Sequence, residues 1–124
     1  MTCLFCEKID SNKEIIYENE TVVAFYDQYP VTKGHVLIVP KRHIQTYFDA
    51  SLIEKADIDQ AIMALKNTLD SSYHPDGYNI GINNGIASGQ SILHLHVHLI
   101  PRYIGDTSNP KGGVRGVIPG KQSY

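Results

Sequence analysis

The chain has 124 residues, 42% hydrophobic and 19% charged, with a formal charge of −2 and only two cysteines. That is one soluble globular domain, large enough for a real core and too small for two. The balance of charge argues against a nucleic-acid or membrane partner, so any anion site must be local.

The amino terminus, Met1-Thr2-Cys3-Leu4-Phe5-Cys6-Glu7, lacks the basic and apolar regions of a signal peptide, and no later run is apolar for long enough to span a bilayer. An intracellular, cytoplasmic protein is expected. Cys3 and Cys6 form a Cys-x-x-Cys pair, open to three readings at this point: metal ligands, a redox pair or two free thiols.

Residues 14–17 and 21–27 are rich in β-branched and aromatic side chains and flank the polar turn 18–20, which predicts a hairpin. Gln28 to Gly34 breaks the pattern before a third strand, His35 to Pro40. Ser51-Leu52-Ile53-Glu54 is a capping box, and Ile58, Ala61, Ile62, Leu65 and Leu69 follow at helical spacing. His74-Pro75-Asp76-Gly77 stops that helix, with His74 a surface residue. Two further strands are predicted over 78–83 and 92–102, joined by a polar, glycine-containing loop. The order of elements is an α+β arrangement, a mainly antiparallel sheet of about five strands with one long helix on one face. Residues 1–104 form the domain, and 105–124 read as an extended tail that needs something to lie against, a partner subunit being one candidate.

The most informative segment is His94-Leu95-His96-Val97-His98. Two-residue spacing on a strand places the three histidines on one face and Leu95, Val97 and Leu99 on the other, toward the helix. A solvated face that happens to carry histidine is the plain alternative, and a His-x-His metal site a second. Neutral imidazole is a competent nucleophile toward phosphorus, and a phospho-histidine splits one hard displacement into two easier ones. Gln90, Ser91 and His98 are placed to stabilise charge on the phosphorus oxygens.

These residues, together with Cys3-Leu4-Phe5-Cys6, Ala24-Phe25-Tyr26-Asp27, Gly34 to Pro40, Lys41-Arg42-His43, Asn83-Asn84-Gly85 and Gly89-Gln90-Ser91, resemble the histidine-triad (HIT) family of nucleotidyl hydrolases and transferases. The resemblance implies that His96 attacks the α-phosphorus of a nucleotide and that water hydrolyses the nucleotidyl-histidine. It assigns phosphate contact to His98, phosphate positioning and leaving-group assistance to Gln90 and Ser91, and support of the triad to His35. Asp27 matches the ribose-binding acid and Asn83 a phosphate-side or ribose-side asparagine; a turn role is the alternative for each. Cys3 and Cys6 are similar to the zinc-binding branch, in which they would join His43 and His94 as four ligands of a structural zinc. Leu99-Ile100-Pro101-Arg102 looks more like the dinucleoside-polyphosphate hydrolases than the phosphoramidases, with Arg102 either a donor to a further phosphate or a solvated strand end. Lys111, Arg115 and Lys121 of the tail are candidates to close over a polyphosphate. The implied protein is a homodimer that releases AMP from dinucleoside polyphosphates or related adenine nucleotide conjugates. A phosphoramidase, a phosphorylase and a nucleotide-binding regulatory module with little turnover are the alternatives.

Overall fold

A computed structural model describes residues 3–124. Five antiparallel strands, β1 (Tyr17–Glu18), β2 (Val22–Tyr26), β3 (Val36–Pro40), β4 (Gly77–Ile82) and β5 (Val97–Arg102), form one sheet in the order β1-β2-β3-β5-β4. The α+β architecture is the expected one. Because β2 and β3 are central and covered on both faces, nine of their ten residues are buried and they read as continuous apolar runs.

The long helix α2 (Leu52–Tyr73) covers one face. Its start follows from the capping box: the Ser51 hydroxyl accepts from the Glu54 backbone N–H at 3.1 Å, and Glu54 Oε1 accepts from the Ser51 N–H at 2.9 Å. Ile58, Ala61, Leu65 and Leu69 pack against Val22, Ala24, Val36 and Ile38 of the sheet, and against Leu95, Val97 and Leu99 as expected. Each large aliphatic buried here contributes about 2 kcal/mol. The helix ends where His74 turns left-handed at φ 52° and gives its N–H to the Asp70 carbonyl; His74 is exposed, as expected.

The opposite face is covered by α1 (Leu4–Ser11), a helix the sequence reading did not anticipate. Phe5 packs with Val23, Phe25, Leu37 and Val39, the outward-alternating set of β2 and β3. Asn12, left-handed at φ 55°, stops the helix. The first predicted strand contracts to two residues, because only Tyr17 and Glu18 pair fully with β2. Gly34 stands at φ +87°, and an added Cβ would lie 3.0 Å from the Tyr73 ring, so the turn into β3 requires glycine.

The last strand also starts later than expected, at Val97 rather than Ile92. Its ladder with β3 ends at the Ile38–Val97 pair. Beyond it the Leu95 N–H goes to the Ile44 carbonyl at 2.7 Å, and the Pro40 carbonyl is taken by the His94 ring at 2.8 Å. His94 and His96 therefore precede the ladder, yet the alternation of faces persists through them. The tail lies against its own chain: a 3-10 turn at Gly113–Val117 rests on β4, where Gly113 meets Asn79.

Candidate active site

Below the face of the sheet that carries α1, one cavity of about 960 Å³ is lined by His35, His96 and His98, with Asp27, Asn83 and Ser91 around them. Register explains the grouping: β5 places His98 opposite Leu37 on β3 and Gly81 on β4, all on the same pleat.

The hydrogen bonds assign the tautomers of all four buried or half-buried histidines. His96 Nδ1 donates to the His94 carbonyl at 2.9 Å, which leaves the lone pair on Nε2. His35 Nδ1 accepts from the Val31 N–H at 3.0 Å, so its proton sits on Nε2 and is given to His98 Nδ1 at 2.9 Å. The remaining proton of neutral His98 is then on Nε2. Burial, with the neighbouring His96 and His35, pushes His98 down to about 4, so it is neutral at physiological pH and acts as a donor without charge. Burial also holds His35 below the ordinary histidine range, against the pull of Asp27. Asp27, His35 and His98 offer ligand atoms within 4.8 Å of one another. Because the Val31 amide fixes the His35 proton on Nε2, that nitrogen cannot also bind a cation.

Asp27 fills the expected turn role and also borders the cavity. Oδ1 caps the following turn through the Tyr29 N–H at 2.8 Å, while Oδ2 stands 3.4 Å from His35 Nε2 at the cavity edge. Gln90 is placed differently. It is 3% exposed and does not line the cavity. Its amide gives both protons to the carbonyls of Gln45 and Ile92, at 2.7 and 3.1 Å, and accepts from the Gly85 N–H at 2.8 Å. Gln90 thus braces the loop that presents Ser91. Asn84 is likewise a brace, accepting from the Tyr47 N–H at 2.8 Å.

Arg102 lines the cavity, but its fork is held by Asp106, with Nε to Oδ2 and Nη2 to Oδ1 both at 2.8 Å, and Nη1 bonds Asn79 at 2.7 Å. That pair keeps the Asp106 carboxyl down at about 2. Lys111 and Arg115 stand over the Tyr124 ring, at 4.7 and 4.9 Å, and neither lines the cavity. Lys121 is absent from its lining too. Phe5 received no role of its own from the sequence, yet its ring lies 5.0 Å from the His96 ring and 5.4 Å from Phe25, edge-on to the nucleophile candidate.

A second cluster joins Cys3, Cys6, His43 and His94. His94 donates from Nε2 to the Pro40 carbonyl, which leaves Nδ1 as the ligand atom with its orientation fixed. His94 Nδ1 lies 3.5 Å from both sulfurs and 3.1 Å from His43 Nδ1, and Cys6 Sγ lies 3.4 Å from His43 Nδ1. Zinc bonds of ~2.3 Å to sulfur and ~2.05 Å to nitrogen give tetrahedral edges of about 3.6 Å for S···N and about 3.3 Å for N···N. The donor set fits a tetrahedral cation to within a few tenths of an ångström. Burial and the Cys3 sulfur push the Cys6 thiol up to about 11, a shift that a cation between the two sulfurs would reverse. Cys3 is also the N-cap of α1, its sulfur accepting the Cys6 N–H. A redox reading is disfavoured by this arrangement, since the sulfurs converge on two histidines.

Comparison with known proteins shows the family. A family model described as HIT domain matches residues 8–105. An uncharacterized HIT-like protein of Methanocaldococcus jannaschii is 38% identical over 115 residues, covering 90% of this chain and 87% of its own length. A bis(5'-nucleosyl)-tetraphosphatase of Schizosaccharomyces pombe is 30% identical over 85% of the chain and 58% of its own length. An AP-4-A phosphorylase of Mycobacterium tuberculosis is 33% identical over 80% and 51%. Among solved structures, a HIT family protein from Bacillus anthracis superposes with a TM-score of 0.79 at 38% identity, covering 85% of this chain and 76% of its own. A zinc-bound histidine triad family protein from Mycobacterium smegmatis gives 0.79 at 32% identity, over 88% and 81%. The chain belongs to the HIT-domain family.

Proposed function

We propose that the protein is a nucleotidyl hydrolase that releases a nucleoside monophosphate, AMP in the leading reading, from dinucleoside polyphosphates or related adenine nucleotide conjugates through a covalent nucleotidyl-His96. The observation that carries this reading is the tautomer chain: a lone pair on His96 Nε2 beside a neutral His98 that offers an N–H, both lining one cavity. A nucleophile next to a hydrogen-bond donor is a pair suited to attack on phosphorus.

In the first step His96 Nε2 forms the bond to the α-phosphorus while the bond from phosphorus to the leaving oxygen breaks, its electron pair departing with the second half of the substrate. The His94 carbonyl, bound to Nδ1–H, stabilises the positive charge that develops on the ring. His98 Nε2–H and the Ser91 hydroxyl donate to the phosphoryl and leaving oxygens. In the second step water bonds to phosphorus, the N–P electron pair returns to Nε2, and the proton of the water is released. Asp27 receives the ribose, and Phe25 and Leu4 lie against the base. Asn83 contacts the phosphate or ribose, and Gln90 and His35 position Ser91 and His98.

Cys3, Cys6, His43 and His94 hold a structural zinc in this reading. When bound, zinc supplies a rigid tie between α1 and the segment that carries His96, with all four positions filled by protein and none left for substrate. β4 is the last strand of the sheet, and in this reading its edge pairs with a second copy to give a homodimer. The polyphosphate class is favoured over phosphoramidates by the segment Leu99-Ile100-Pro101-Arg102 and by the tetraphosphatase relative. Replacement of water by phosphate in the second step would make the enzyme a phosphorylase, like the mycobacterial relative. The test is His96→Gly: turnover of diadenosine tetraphosphate falls at least a thousandfold with the melting profile retained. Full activity in that variant overturns the covalent route.

A further inference from the structure

The cavity is divided by the histidines into two unlike halves, and about 960 Å³ is more than one mononucleotide fills. On one side stand Leu4, Phe25 and Asp27. On the other, the floor is Asn79, Gly81 and Ile100, and the wall is the tail, through Val114, Val117 and Gln122. The family match stops at residue 105, so the wall lies outside the matched domain.

Three observations make the wall a built feature. Val114 and Val117 are 67% and 74% exposed, yet both line the cavity. The turn that presents them is fastened at its base: Gln122 Nε2 donates to the Asn109 carbonyl at 2.9 Å, and the Tyr124 ring lies under Lys111 and Arg115. Gly112, at φ +83°, sits so close to the Gln122 carbonyl that no side chain fits there. Opposite the wall, an added Cβ at Gly81 meets nothing within 4 Å, so the space beside His98 is open.

The chemistry of this half is apolar and amide. Among the described residues lining it, the cation is Arg102, whose fork is held by Asp106. We propose that the Gly113–Val117 turn is a specificity-determining wall that receives the leaving half of the substrate, and that this half ends in an uncharged planar ring such as a second nucleobase. Its faces would lie on Val114, Val117 and Ile100, and its edge would meet Asn79 Nδ2 and Gln122 Oε1, the amide atoms not held by Arg102, Asn109 or Lys111. The inference rests on the hydrolase reading for the identity of the leaving half, but its test does not use turnover.

The full-length chain carrying His96→Gly is titrated calorimetrically with diadenosine tetraphosphate and with AMP. Val114→Asn and Val117→Asn together remove the apolar shelf without adding charge. The dinucleotide binds at least tenfold more tightly than AMP before these changes, and they reduce that ratio at least fivefold. Tyr124→Ala, which frees the base of the turn, lowers the ratio in the same direction. The Kd for AMP is the internal reference for a folded site. A ratio that is unchanged within twofold in both variants overturns the wall. Binding that behaves as stated in a protein that never turns over the dinucleotide overturns the hydrolase reading alone.

Discussion

Glu54→Ala removes a residue that touches neither cavity nor metal cluster, and its effect is nevertheless predicted on both stability and metal affinity. Glu54 is 4% exposed and holds two elements together. It accepts the Ser51 N–H at the start of α2, and it accepts Arg42 Nη2 at 2.7 Å and Nε at 3.2 Å. Loss of half the capping box costs about 0.5–1 kcal/mol. The charge-assisted pair is worth about 1 kcal/mol once discounted for an Arg42 side chain 58% exposed to water, and lost packing adds a similar amount. The sum is about 2–3 kcal/mol, a fall in Tm of roughly 6–12 °C for a chain of this size. Arg42 adjoins His43, so the variant also frees a metal-ligating loop, and zinc affinity in a chelator competition should fall about tenfold. Arg42 holds the Glu54 carboxyl below the usual glutamate range. A depressed folded value stabilises above the unfolded value and is lost as pH falls, so the difference between wild type and variant shrinks between pH 6 and pH 3. A variant within 0.5 kcal/mol of wild type at pH 7, or a difference that grows on acidification, would refute the reasoning.

His98 is shifted down as well, but as a base: its folded value of about 4 lies below the unfolded histidine value, so below pH ~6.5 the unfolded chain takes the proton first and stability falls toward pH 4. Melts of wild type and His98→Asn at pH 7.5 and 4.5 should show about 1–2 kcal/mol of acid destabilisation that the variant lacks. Gln90→Ala orphans the Gly85 N–H and the Gln45 carbonyl, at a cost of about 1–3 kcal/mol in urea unfolding, and displaces Ser91, so kcat falls more than KM changes. Cys3→Ser with Cys6→Ser should abolish the one zinc per chain measured by elemental analysis and lower Tm. An unchanged metal content in that double variant would remove the four-ligand centre.

What was legible in the sequence was what period and punctuation encode. The capping box and the stripe from Ile58 to Leu69 gave α2, and strict alternation gave the two faces around His96, because burial of Leu95, Val97 and Leu99 dictates both. The start of β5 was not legible, since the Pro40 carbonyl is captured by the His94 ring rather than by the ladder, a contact 54 residues apart in the chain. Helix α1 escaped because its N-cap is a cysteine, although Leu4, Phe5 and Ile9 at helical spacing and Asn12 at its end were signals. Gln90 and Asn84 illustrate a different limit: an amide next to a catalytic motif reads alike whether it meets a ligand or braces a loop, and only the positions of the Gly85 and Tyr47 amides decide. The tail carries no period, so its return to Asn79 depends on tertiary contacts alone.

The central claim is the covalent role of His96, and it is tested most directly by mass spectrometry of the protein quenched during turnover of diadenosine tetraphosphate. The account predicts an adenylyl adduct that maps to the peptide containing His96 and is absent in His96→Gly. Turnover by a protein on which no adduct forms under any quench, with His96→Gly equally active, would contradict it.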